Sequence, residues 1–178
     1  MACLKDSPYF NSEKNDYYTT KEMWQNISHI IPKNKIIFEA CLLNSNSKSI
    51  EYLKELGFNV VGNNTIDCLN EVDFNFDMII TNIPFKTDIK KKILKKFVDI
   101  DKPFITIINV MNVYSSYFRE IFGDNIKYLQ IISPKGKIKF EIYDKELKQL
   151  IKCKTDPSFY CVYLCYKMNL ENKDLWLK

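Results

Sequence analysis

The stretch Asp77-Met78-Ile79-Ile80-Thr81-Asn82-Ile83-Pro84-Phe85 decides how the chain is read. Met78, Ile79 and Ile80 are a short apolar run bounded by polar residues, and they predict a strand buried on both faces of a parallel sheet. Open α/β sheets bind ligands at the carboxyl ends of such strands, which is where Asn82, Pro84 and Phe85 fall. An asparagine supplies a carbonyl acceptor, a proline fixes the backbone and a phenylalanine offers a flat apolar face. Together they suit a planar ring that carries an amino group.

Upstream of this stretch, Thr19 or Thr20 is a candidate N-cap for a helix whose apolar stripe is Met23, Ile27 and Ile30 or Ile31, and Pro32 stops it. Residues 35–40 read as the first strand. Glu39, with Ala40 beside it, stands at its carboxyl end, placed for a ligand's ammonium group. Residues 41–47 follow and contain no glycine. Ser47 or Ser49 is expected to cap a helix over 50–56, Gly57 to close it in the left-handed region, and residues 58–61 to form the second strand. A strand, helix, strand order with short turns implies a parallel sheet with a right-handed crossover.

Downstream, residues 86–97 form an amphipathic helix, with Ile89, Ile93 and Phe97 at four-residue spacing and lysines around them. The lysines are either a solvated face or, through Lys86 and Lys90, a seat for a nucleic-acid backbone that positions without reading sequence. Residues 103–108 are another buried strand. A helix with Tyr114, Tyr117 and Phe118 follows within 110–122 and ends at Gly123. The grammar then changes to strands at 128–132, 137–143 and 158–166, with a turn at Pro134-Lys135-Gly136. The expected fold class is α/β: a doubly wound, mostly parallel sheet with helices on both faces and an antiparallel C-terminal hairpin. Residues 1–15 are expected to be an irregular N-terminal arm, and residues 16–178 a single domain.

Composition narrows the function classes. With 46% hydrophobic and 27% charged residues the chain is an ordinary globular one. No apolar run approaches the roughly 20 residues of a membrane helix, and the first residues lack the apolar core of a signal peptide. An intracellular, cytoplasmic site with no membrane partner is the expectation. The six cysteines form no Cys-x-x-Cys pair, so they read as free thiols and no metal site is expected. Cys161 and Cys165 are expected on one strand face with Tyr163, and His29 on a helix as a structural residue. A net charge of +4 permits a phosphate-bearing partner without demanding one.

Thr81-Asn82-Ile83-Pro84-Phe85 resembles the Asn-Pro-Pro-Phe/Tyr motif of the amino-methyltransferases, which methylate exocyclic or amide nitrogens with S-adenosylmethionine (SAM); Ile83 stands where the motif has its first proline. The flanks, over residues 16 to about 168, resemble a compact family of adenine-N6 methyltransferases from phages and large DNA viruses. The resemblance implies SAM as cofactor, DNA or RNA as substrate, and a host-cell or viral-factory location. It implies catalytic roles for Asn82, Ile83, Pro84 and Phe85. The side-chain oxygen of Asn82 and the main-chain carbonyl of Ile83 would take the two amino hydrogens while Phe85 stacks on the base.

The same resemblance places Tyr18 and Thr19 beside the methionine end of SAM, with Thr20 where the family has a proline. Methyltransferases usually carry a glycine-rich turn where this chain has residues 41–47. After the second strand they often carry an acid for the ribose; here Gly62-Asn63-Asn64 offers amides, and Asp67 is the nearest carboxylate, expected on the adenine side. Losing the first proline loosens the loop by about 0.4–1 kcal/mol, and losing the glycines obstructs the cofactor. Two alternatives compete: a catalytically degenerate methyltransferase fold that binds nucleic acid or protein, and a protein glutamine methyltransferase. The chain is short for a target-recognition domain of its own, which leaves that task to a second subunit or to residues 1–15.

Overall fold

The computed structural model describes residues 17–42, 46–62, 69–70, 74–153, 157–172 and 174–177. The expected arm at 1–15, Asn63 and Asp67, and the middle of the 41–47 turn lie outside these.

In chain order the elements are β1 (Tyr18–Thr19), α1 (Lys21–Ile27), β2 (Ile36–Phe38), α2 (Ser49–Glu55), β3 (Asn59–Val61), β4 (Met78–Asn82), α3 (Thr87–Ile100) and β5 (Phe104–Asn109). There follow α4 (Ser116–Phe122), β6 (Leu129–Ser133), β7 (Phe140–Asp144), β8 (Gln149–Lys152), β9 (Cys161–Tyr166) and β10 (Asp174–Trp176). A seven-stranded sheet has the order β10-β6-β9-β5-β4-β2-β3. Every neighbouring pair is parallel except those made by β9, which runs antiparallel to both β5 and β6.

The strand over Met78, Ile79 and Ile80 is central, as the sequence predicts. β2 lies on one side of it and β5 on the other, with Ile79 opposite Phe104 and Asn82 opposite Ile107. Two-residue periodicity then divides the core. Met78 and Ile80 face α1 and α2 through Met23, Trp24, Ile27 and Leu53. Ile79 faces α3 and α4 through Ile93, Phe97, Phe118 and Phe122. Helices therefore cover both faces, and Cys161, Tyr163 and Cys165 share one face of β9 as expected. Asp77 sets the register at the base of β4: its N–H donates to the Ile36 carbonyl and its carboxylate accepts from the Ile36 N–H, both at 2.8 Å.

Several details depart from the sequence reading. The antiparallel C-terminal pair is β6 with β9, and β9 lies inside the sheet instead of ending it. Residues 137–143 do not return beside β6. Phe140–Asp144 leaves the sheet, pairs with β8 and β1, and builds a second, three-stranded sheet in the order β1-β7-β8. The helix expected over 110–122 divides into a 3-10 turn, Val110–Tyr114, and α4, because Ser115 is extended. Thr20, one of the two expected candidates, does cap α1, accepting from the Met23 N–H at 3.4 Å. Ser49 does not cap α2, whose N-cap is Lys48; its hydroxyl is spent elsewhere, as described below. No helix is long and apolar enough to cross a membrane among the described residues.

Gly57 adopts φ +84° after α2, as expected. Gly62 is tighter still, at φ +129°, where an added Cβ would stand 2.7 Å from the Glu39 carbonyl oxygen. Replacing Gly62 with alanine forces the ends of β2 and β3 apart and strains the backbone. Gly62→Ala is expected to cost roughly 1–3 kcal/mol, read as a lowered urea midpoint at unchanged m-value.

Candidate functional site

The carboxyl ends of β2 and β4 lie side by side, and the sequence puts Glu39 and Thr81-Asn82 there. Glu39 is 2% exposed. One carboxylate oxygen accepts from the Ser49 hydroxyl and the other from the Thr81 hydroxyl, both in short contacts. The Cys41 N–H donates to Thr81 Oγ1 at 3.0 Å and to Glu39 Oε1 at 3.3 Å. Behind Ser49, the Trp24 indole N–H donates to its hydroxyl oxygen at 3.0 Å. Glu39 thus joins β2, β4, α2 and, through Ser49, α1. Burial dominates its protonation: it raises the carboxyl to about 7, against the opposing pull of the hydrogen bonds from Ser49, Thr81 and Cys41.

Asn82 closes β4. Its side-chain NH2 donates to the Tyr17 carbonyl at 3.0 Å, a contact only the NH2 can make because a carbonyl only accepts. The Asn82 Oδ1 is therefore fixed in the opposite direction, and it is buried with no hydrogen-bond partner among the described residues. The Thr19 hydroxyl is in the same position. Both residues line a small cavity with Tyr18 and Glu39. The structure thus brings together Tyr18, Thr19, Glu39 and Asn82 from the sequence reading. The volume of the cavity is about 10 Å³, room for one water.

The other expected site residues stand apart from this cavity. Ala40 is buried at 2% and Ile83 at 1%, both with side chains in the core on the α3 side of the sheet. Phe85 is half-buried in a cluster of rings, with centroids 5.0 Å from Phe159 and 5.9 Å from both Tyr17 and Phe140. Lys86 is exposed at the start of α3. Lys90 is not on a solvated face: it is 3% exposed, and its ammonium donates to Asn112 Oδ1 at 2.9 Å. Burial lowers its pKa, opposed by the Cys161 thiol nearby. Lys90 instead fastens the Val110–Tyr114 turn to α3, so a nucleic-acid backbone cannot reach it here.

Sequence reasoning missed Tyr17, Ser49, Phe140 and Phe159. The last two carry no local signal, since both come from segments that reach Phe85 only through the second sheet and the loop before β9. Among the described residues, no three histidine, cysteine or acidic side chains are grouped to hold a metal ion.

No family model matches the sequence, and no curated protein does. Among solved structures, the chain is similar to a dimethyladenosine transferase from Plasmodium falciparum, with 12% identity and TM-score 0.47, covering 85% of this chain and 62% of that one. It is similar to a SAM-dependent O-methyltransferase from Thermotoga maritima, with 11% identity, TM-score 0.41, and 90% and 70% coverage. A TehB-like SAM-dependent methyltransferase from Corynebacterium glutamicum is a further match, at 14% identity, TM-score 0.42, and 86% and 89% coverage. The fold itself is a Rossmann-like α/β sheet, with its antiparallel strand set inside the C-terminal half of the sheet.

The Glu39 environment makes stability depend on pH in a defined direction. Its folded pKa of about 7 exceeds the 4.5 of a free carboxyl, so its stabilising contribution is whole below 4.5 and is lost as pH rises through 7. Glu39→Gln, which does not titrate, is expected to remove this part of the slope. Urea unfolding of both proteins at about pH 5 and about pH 8 checks it, and parallel profiles would rule the assignment out.

Proposed function

We propose that the chain is a SAM-dependent methyltransferase that transfers a methyl group to the exocyclic N6 of adenine in DNA or RNA. One observation carries the reading: at the tip of the central strand, Asn82 presents a buried side-chain oxygen with no partner of its own, held in place by the Tyr17 carbonyl. A buried acceptor left unpaired costs about 1–3 kcal/mol, and an incoming N–H group restores it.

The chemistry follows from what an amino group on a purine lacks. Its lone pair is delocalised into the ring, so it is a poor nucleophile. Asn82 Oδ1 and the Ile83 carbonyl, accepting one hydrogen each, draw the nitrogen toward a tetrahedral shape and localise the lone pair. Positioning contributes much of the remaining rate. Pro84 fixes the backbone between the second acceptor and Phe85. Phe85 meets the base, and its three ring neighbours hold it still.

SAM, when bound, supplies an electrophilic methyl. Tyr18, Thr19, Glu39 and Ala40 would hold its methionine end, and Asn63 and Asp67 its adenosine side. The acceptors lining the cavity, Thr19 Oγ1 and the Glu39 carboxylate, suit an ammonium group. The volume of the cavity, about 10 Å³, is too small to admit that end of the cofactor as it stands.

That volume favours a second reading, a methyltransferase fold that binds nucleic acid or protein without catalysis. Titration calorimetry with SAM separates the two, followed by transfer of labelled methyl to adenine-containing oligonucleotides and, as a control for glutamine methylation, to protein extracts. Asn82→Ala is expected to lower transfer by about 100-fold or more. Full activity in that variant would exclude the mechanism, and absence of SAM binding would leave the binding reading.

A further inference from the structure

Two of the largest exposed side chains are aromatic and lie at the catalytic end of the sheet: Tyr114 is 73% exposed and Tyr160 62%, and Met111 between them in exposure is 67% exposed. The pairing register puts them there. Asn82 lies opposite Ile107 on β5, and Asn109, two residues on, lies opposite Cys161 on β9. The Val110–Tyr114 turn leaves β5 at this point and Tyr160 enters β9 there, and the Val110 N–H donates to the Tyr160 carbonyl at 2.9 Å. The preceding residue, Phe159, is the ring packed 5.0 Å from Phe85.

This rim is held rigidly. Asn112 accepts from the buried Lys90 ammonium and from the Tyr117 hydroxyl, and its own NH2 donates to the Asn109 carbonyl at 2.9 Å. Asn109 in turn accepts from the Met111 N–H at 3.0 Å. A lysine ammonium, that of Lys137, lies 4.9 Å from the centre of the Tyr160 ring. The exposed rings of Tyr114 and Tyr160 stand on backbone fastened by these bonds, and Tyr160 has beside it a cation that also donates to the Pro157 carbonyl at 2.9 Å. They match a ligand with flat apolar faces and phosphates.

We propose that Met111, Tyr114 and Tyr160 form a stacking platform for unpaired bases, so that the acceptor strand at Asn82 is single-stranded nucleic acid. The inference rests on the nucleic-acid reading of the site and narrows it. In a duplex each base face is already stacked on its neighbour, and only the edges and backbone are offered. Aromatic side chains bind the faces of unpaired bases without sequence preference.

Fluorescence anisotropy tests this with a labelled mixed-sequence single strand and with the same strand annealed to its complement, both without SAM. The single strand is expected to bind at least about tenfold more tightly, and Tyr114→Ala and Tyr160→Ala each to weaken it by roughly tenfold. Tyr160→Phe, which keeps the ring, is expected to retain affinity. Equal binding of the duplex overturns the proposal. So does unchanged binding by both alanine variants, which would leave the rim to a protein partner. Thermal melting of the variants guards against misfolding, which exposed positions make a minor effect. Tight single-strand binding without methyl transfer would sink the enzymatic reading alone; methyl transfer with unaffected alanine variants would sink the platform alone.

Discussion

A single buried carboxylate organises the site. Among the described residues the hydrogen-bond partners of Glu39 include no cation; they are the hydroxyls of Ser49 and Thr81 and the N–H of Cys41. Each partner comes from a different part of the chain, and Trp24 extends the chain of donors into α1. Removing the acceptor would strand several buried donors at once, each costing about 1–3 kcal/mol. The network therefore fixes where α2 meets β2 and where β4 ends. The direction of Asn82 follows from where β4 ends.

The same network explains why the first strand's acid is not simply a ligand-binding group. Both of its oxygens already serve the fold, and burial raises its pKa toward neutrality, disfavouring the charged form. An ammonium arriving in the cavity would find a carboxylate that becomes fully charged only by displacing that balance. Under the proposed reading, ligand binding would therefore be coupled to the protonation of Glu39 and, through Ser49 and Trp24, to the packing of α1 and α2.

Much of the fold was legible because it rests on local periodicity. The bounded apolar run Met78-Ile79-Ile80 and the four-residue spacing of Ile89, Ile93 and Phe97 each identify an element without knowledge of its neighbours. The second sheet was not legible, because residues 137–143 look like any other strand and their partner, β1, is two residues long. β10, at three residues, is too short to carry a pattern. Lys90 misled for a related reason. Lys90, Leu94 and Phe97 form a second inward stripe beside the first, and the group that makes a lysine tolerable there, Asn112, is 22 residues away. At the site, Asn82 was legible as a residue type in a strand-end context, whereas the Tyr17 carbonyl that orients it has no side-chain signature at all.

Under the proposed reading, Ile83 stands where the motif has its first proline. Exchanging proline for isoleucine gives up a rigid ring, an entropic loss of about 0.4–1 kcal/mol. Yet the Ile83 side chain is 1% exposed, packed into the same core as Ile79, Ile89 and Ile93. Burying an isoleucine gains about 1.5–3 kcal/mol over leaving it exposed, and the part in excess of what a buried proline ring would gain opposes that loss. The loop after β4 is thus held by an anchor in the core instead of by a stiff backbone. In the proposed mechanism the carbonyl oxygen of this anchored residue would serve as the second acceptor, held through its buried side chain instead of through a ring in the backbone.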